Sequence, residues 1–353
     1  MTLNRITVRG TIISVTFVLA YVAGWLIVAN FLKSEIAEWV IDRRTGGWTI
    51  EHGTITMEGF PFSWHASIGT PHLSQTEWGQ SYSWTGPAIA LNWHPWNPRT
   101  VYYSTAGAHK FRVDSIANIA GPETTLELTG GEGHLVFGPR GRLHQLAILL
   151  DDARLSLPEA SSLRFNRFRA LIDNNPRGDG VKPGKLHLTP SLRLDGDIVG
   201  LTLPEGQRAV LGRTIGRISL GGTIMGRIPP GRPLDALSAW QMDGGTVEIS
   251  HLNVGWGSLM VQATGTIALN STLQPIGALV GTVAGYGETI DALVAARLVK
   301  PRVALMGKLA LSALSGTPVD GGRPEIKVPI TLQENWLYVG PSKLLKLPTI
   351  HWE

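Results

Sequence analysis

A chain of 353 residues that is 43 % hydrophobic has ample material for one large domain or two modest ones, which excludes a disordered protein. Only 16 % of the residues are charged, and 42 glycines and 22 prolines are spread along the whole length, a mixture that favours many short strands. The absence of cysteine excludes disulfides, thiolate zinc sites, iron–sulfur clusters and cysteine nucleophiles. The net charge of +4 comes from scattered Lys and Arg and lacks the dense basic footprint of a nucleic-acid surface.

The N-terminal stretch carries the strongest topological signal. From Gly10 to Leu32 the chain reads GTIISVTFVLAYVAGWLIVANFL, without a charged residue. As a helix this run is roughly 33 Å long, enough to cross a hydrocarbon core of about 30 Å. Arg5 and Arg9 precede it, and Lys33, Glu35, Glu38 and Asp42 follow. The positive-inside bias therefore keeps residues 1–9 in the cytoplasm and exports the other ~320 residues. The competing reading is a cleaved signal peptide ending near Ile27 and Ala29. The apolar run exceeds the ~7–15 residues of an h-region, which favours a retained transmembrane helix over residues 10–32. Beyond it, Ile36, Trp39 and Val40 recur at helical spacing before Gly46-Gly47, predicting a membrane-proximal helix over 33–46. In a Gram-negative cell the protein is then a single-pass inner-membrane protein whose body, residues 47–353, is periplasmic. Any subdivision of that body is expected near 180–210.

The body opens with ITMEGFPFSWHASIGTPHL, Ile55 to Leu73, in which strand-like alternation is interrupted by Gly59, Phe60, Pro61 and Phe62. Pro61 cannot donate to a strand ladder, Gly59 permits a bend, and the two Phe rings can pack it. GFPF is therefore expected to be a structural corner. No nucleophile, ligand set or acid pair accompanies it, and His65 alone supplies none.

Period-two alternation continues along the chain. In LMVQATGTIAL, residues Leu259, Val261, Ala263, Ile267 and Leu269 share one face, while Met260, Gln262, Thr264, Thr266 and Ala268 share the other. Similar runs at Leu126–Leu128, Leu135–Phe137, Leu155–Leu157, Leu186–Leu194, Ile218–Ile224, Val247–Trp256 and Ile326–Leu332 are expected as strands. Glycine pairs such as Gly130-Gly131 and Gly221-Gly222 are expected as the turns between them. Two segments read as helices: ETIDALVAARLVK, with Ile290, Leu293, Val294 and Leu298 on one stripe and Pro301 as its stop, and RVALMGKLALSALSG, with Val303, Met306, Ala310 and Leu314. The expected fold is mainly β: a large curved antiparallel sheet, an open barrel or groove, with these two C-terminal helices packed on it.

Few residues look like chemistry. His52, His65, His72, His94 and His109 lie in one region, but no H-x-x-x-H or H-x-H pair forms among them, so no metal or other cofactor is expected. No G-x-S-x-G elbow, Walker loop or dinucleotide fingerprint is present. Asp151-Asp152, and Asp195 with Asp197, are the tightest acidic pairs. They read as solvated turns, with a two-carboxylate glycosidase as the competing reading. Arg177-Gly178-Asp179-Gly180 reads as a loop. The twelve tryptophans suit a sheet core or an apolar groove. Trp64, Trp84, Trp93, Trp96, Trp256 and Trp336 are the candidates for lining such a groove.

With the span, Gly59-Phe60-Pro61-Phe62, Gly255-Trp256-Gly257, Gly265, Pro275, Gly340-Pro341 and Pro348, the chain resembles an uncharacterised family of Gram-negative envelope proteins. That family is a domain of unknown function, broadly similar to AsmA-like proteins, and the resemblance covers most of the exported body. It implies an inner-membrane anchor and a β-rich periplasmic body with an apolar groove serving envelope lipid traffic or assembly, and it assigns no catalytic residue. The expected function is a non-catalytic envelope protein, held in the bilayer by its N-terminal helix, that binds lipid or another apolar or amphipathic partner. The rival readings are an assembly partner of envelope proteins and an enzyme acting on cell-wall glycan.

Overall fold

A computed structural model of the chain describes residues 3–77, 80–115, 123–138, 141–157, 160–174, 186–205, 209–315, 324–350 and 352. Among them, eighteen strands form an antiparallel sheet that does not close on itself, accompanied by four α-helices and a short 3-10 turn at Leu186–Leu188. The mainly β expectation holds. The chain divides into two compact units, Met1–His134 with Ser156–Pro158, and Leu135–Leu155 with Glu159–Glu353. Residues 180–210 fall inside the second.

The first unit begins with α1 (Leu3–Thr45), a single helix through the apolar run and the segment beyond it. Among the described residues no helix is long and apolar enough to cross a membrane. Many side chains of the Gly10–Leu32 run lie outside those residues. The strands of this unit are β1 (Trp48–Glu51), β2 (Ile55–Glu58), β3 (Trp64–Ile68), β4 (His72–Glu77), β5 (Gln80–Thr85), β6 (Ile89–His94) and β7 (Asn97–Ser115). They pair in the order β2-β3-β6-β7-β5-β4-β1. The first half of β7 pairs with β6 and the second half with β5, so one long strand joins two small hairpin arrays. The core lies where α1 meets β3 and β6: Ala29, Trp64, Ala66 and Trp93 are buried together, with Trp25, Val28, Met57, Leu91 and Val101 packed around them. Farther along the helix, Val40 and Ile50 are both buried, and Arg44 donates to the Ile50 carbonyl.

β8 (Glu123–Phe137) and β9 (Leu143–Leu157) run through the division between the units. The second unit then continues as an antiparallel meander: β10 (Ala160–Asp173), β11 (Pro190–Thr202), β12 (Thr214–Met225), β13 (Thr246–Trp256), β14 (Leu259–Leu269), β15 (Pro275–Ala284), β16 (Glu325–Gln333), β17 (Trp336–Val339) and β18 (Ser342–Lys346). Each strand pairs with the next. The helices α2 (Pro233–Met242), α3 (Tyr286–Ala295) and α4 (Pro301–Leu314) lie in the connections.

Several local expectations change. Gly130-Gly131 and Gly221-Gly222 lie inside β8 and β12 rather than at turns, so the two short runs expected around Gly130 are one strand. Leu186–Leu194 is a 3-10 turn followed by β11, because Pro190 opens the strand. The α3 helix stops at Ala295, and Arg297 is left-handed at φ 58°, so its last turn ends earlier than the Pro301 stop predicts. Pro301 instead occupies the first turn of α4. The α2 helix has no counterpart in the sequence-based expectation. Of the two C-terminal helices, α3 meets the sheet at β14, while α4 packs on α3 and leaves Val303, Leu305, Met306 and Leu309 exposed.

Candidate functional site

In antiparallel pairing, directly opposed residues point to the same side of the sheet, so the register of β10 to β16 sorts the second unit into two faces. One row across these strands runs Phe168, Ile198, Ile218, Val254, Val261, Val283, Ile326. The next runs Ala170, Gly196, Leu220, Leu252, Ala263, Gly281, Val328, and the one after it Ile172, Leu194, Gly222, Ile249, Gly265, Leu279, Ile330. Every member is apolar. The face is continuous even where the sequence alternation fails, because a bulge at Ser250–His251 lets Val247 and Ile249 join Leu252, Val254 and Trp256 on one side. Ala263, Leu279 and Ile326 are buried, but most side chains of the face keep an intermediate exposure, and Leu194 and Leu220 remain 38 % and 37 % exposed. The arrangement offers a broad apolar surface whose side chains shield one another incompletely.

The opposite face is mixed, with Met260 and Val280 exposed among polar side chains. Its central row is Arg169, Asp197, Ser219, Asn253, Gln262, Thr282 and Lys327. Around it opens a shallow concavity of about 550 Å³, also lined by Asp195, Arg217 and His251. Arg217 Nε lies 2.5 Å from Asp197 Oδ1. Asp195 and Asp197 are thus mid-strand residues on one face, which corrects the expectation of a solvated turn. Among the described residues the concavity is lined by both Asp195 and Asp197, the latter paired with Arg217, and by no tryptophan. Asp151 also lies within a strand, β9, where Arg167 Nε donates to its Oδ1 at 2.8 Å and this pairing raises the arginine pKa. The Arg177–Gly180 segment lies outside the described residues.

The six tryptophan candidates are distributed rather than gathered. Trp64 and Trp93 face each other across β3 and β6 and are buried in the first unit. Trp84 stacks on His109 with ring centroids 5.9 Å apart. Trp96 is exposed and stacks on His94 at 4.8 Å. Trp256 ends β13 on the apolar side, its Nε1 donating to the Gly212 carbonyl at 2.7 Å. Trp336 lies beneath the Lys343 ammonium at 5.0 Å. Trp256 therefore joins the apolar face of the second unit, where the aliphatic rows carry the site. The signal for those rows was the period-two pattern itself, once the bulge in β13 is included.

At Gly59–Phe62 the chain turns between β2 and β3. Gly59 has φ 102°, and a Cβ there would meet the His65 ring at 2.2 Å and the Ser63 carbonyl oxygen at 2.8 Å, so only glycine fits this bend. The Phe60–Pro61 peptide is cis. Ser63 Oγ and His65 Nε2 lie 2.7 Å apart, and His72 Nδ1 lies 2.8 Å from Thr85 Oγ1. Among the described residues no group of three or more His, Asp or Glu converges as a metal site.

No curated protein and no solved structure matches the chain. A family described as an uncharacterized protein conserved in bacteria, DUF2125, matches residues 25–348, from the middle of α1 to just beyond β18. On that coverage, taking in both sheet units and the apolar rows of the second, the chain belongs to the DUF2125 family.

Proposed function

We propose that this protein is anchored in the inner membrane by α1, exposes its β-rich body to the periplasm, and holds a lipid or another amphipathic partner on the apolar face of β10 to β16. Its role is envelope maintenance without covalent chemistry, in the manner of AsmA-like proteins. The observation that carries the reading is the unbroken set of apolar rows, most of whose side chains are only half-buried. Each methylene transferred from water to such a surface contributes about 0.8 kcal/mol, so an acyl chain gains by lying across it. The charge-free run of α1 supports the anchor, and Arg5 and Arg9 with the terminal amine on its N-terminal side, against Lys33 immediately after it, support the orientation. The exposed Val303, Leu305, Met306 and Leu309 of α4 favour one second reading, an assembly surface for another envelope protein.

Two measurements test the proposal. Alkaline phosphatase fused after residue 60 is expected to be active in cells, and an inactive fusion would remove the periplasmic assignment. A photoreactive amino acid at Leu220, on the apolar face, is expected to cross-link lipid. The same probe at Met260, exposed on the opposite face, is expected not to do so. Equal lipid labelling at both positions, or protein adducts alone at Leu220, would contradict the lipid-binding face.

A further inference from the structure

We propose that the Phe60-Pro61-Phe62 corner and Trp96 are seated in the lipid interface of the bilayer that α1 enters, so that the first unit is partly embedded; this rests on the reading of α1 as a span. The corner is fastened to the apolar run itself. The Tyr21 hydroxyl donates to the Pro61 carbonyl, Trp25 Nε1 donates to the Ser63 carbonyl at 3.1 Å, and Phe60 meets Trp25 edge-on with ring centroids 5.4 Å apart. These contacts hold the corner beside Tyr21, which precedes the first following charge, Lys33, by roughly 18 Å along the helix axis.

The exposed side of α1 sets the level of the lipid. Trp25, Val28 and Ala29 pack against the strands, whereas Leu19, Leu26 and Ile27 point away, and Ile27 is 68 % exposed. Because the strands cover one side of α1 from Trp25 onward, the lipid boundary on the side of the body lies near Ile27 rather than at Leu32, and Tyr21, ~9 Å toward the N-terminus, brings the corner into that boundary zone. The corner presents the chemistry that such a depth requires. Phe62 is 67 % exposed and Phe60 is also exposed. Trp96, 69 % exposed on the neighbouring β6–β7 turn, joins them through His94, which stacks on it and has Nδ1 3.5 Å from the Phe62 carbonyl oxygen. Aromatic rings clustered in this way are favoured at the boundary between headgroups and acyl chains. Glu58 and Arg99, exposed in the adjoining strands, limit the insertion to the two turns, since charged groups remain among the headgroups.

The chain has no cysteine, so single-cysteine variants can be labelled without background. The full-length protein carrying Phe62→Cys, Trp96→Cys, Ile27→Cys or Glu38→Cys would be labelled with nitrobenzoxadiazole and reconstituted in phosphatidylethanolamine–phosphatidylglycerol vesicles. Quenching would be read with lipids spin-labelled near the headgroup or deep in the chain. The labels at Phe62 and Trp96 are expected to be blue-shifted and quenched by the shallow spin label severalfold more than the label at Glu38, which lies beyond the apolar run. If Ile27 is quenched while Phe62 and Trp96 match Glu38, the embedded corner is wrong and the span stands. If Ile27 also matches Glu38, both the corner and the span fall. Phe62 and Trp96 lie on separate turns and are exposed, so a folding defect at one leaves the other as the readout.

Discussion

His109 is a buried titratable group in the first unit. It is 7 % exposed, stacks on Trp84 and has Nε2 3.4 Å from Thr105 Oγ1. Burial penalises its charged form and lowers its pKa from the ordinary 6.5. The unfolded chain therefore binds the proton first, so the stability present above about pH 6.5 is lost as the pH falls through that value toward the folded-state pKa. Thermal melts from about pH 8 to about pH 5 are expected to show a falling Tm that is shallower in His109→Gln; an identical slope in the variant would remove His109 as the cause. Glu123 responds to pH in the same direction but at lower values, because its hydrogen bond to Lys110, with Arg112 alongside, holds its carboxyl below the usual range. Neither environment was legible in the sequence. A histidine in TAGAHK reveals its residue type but not the ring that covers it, because Trp84 arrives from a different strand. Asp197 was misread for the same reason: the arginine that pairs with it, Arg217, lies on the next strand.

At the scale of elements, strands were legible wherever alternation was strict, as in β14, whose two expected faces are the observed ones. Glycine misled the reading because β8 and β12 carry their glycine pairs in the strand interior, where neighbouring strands supply the hydrogen bonds that a turn would otherwise replace. The α2 helix went unseen, although Pro233 in its first turn and Asp235 were its signals; its buried Trp240 fixes it by donating to the Met225 carbonyl at 2.8 Å. Gly265 shows how tightly β14 and β15 meet. A Cβ there would stand 2.3 Å from the Ala278 carbonyl oxygen and 2.5 Å from Leu279 Cα, both backbone atoms that cannot turn away. Gly265→Ala is expected to destabilise the second unit by about 2 kcal/mol or more through this overpacking. Urea unfolding measures it, and a shift below about 0.5 kcal/mol would mean that the two strands separate easily.

At the scale of the whole molecule, the sequence showed a mainly β chain and its apolar N-terminal run, while the division into units at residues 134–135 depended on long-range pairing that no local pattern encodes. The proposed activity belongs to this scale, because no single residue makes the apolar face; it exists only when β10 to β16 align their rows. The most direct test is native mass spectrometry of the full-length protein, extracted in mild detergent, beside Leu194→Lys and Leu220→Lys. Both residues are already more than a third exposed, so a lysine can fold there with its ammonium in water, and far-UV circular dichroism checks that it has. The account predicts that the wild-type protein retains bound lipid and that each charged variant loses most of it. A lipid-free wild type, or folded variants that retain as much lipid as the wild type, would contradict it.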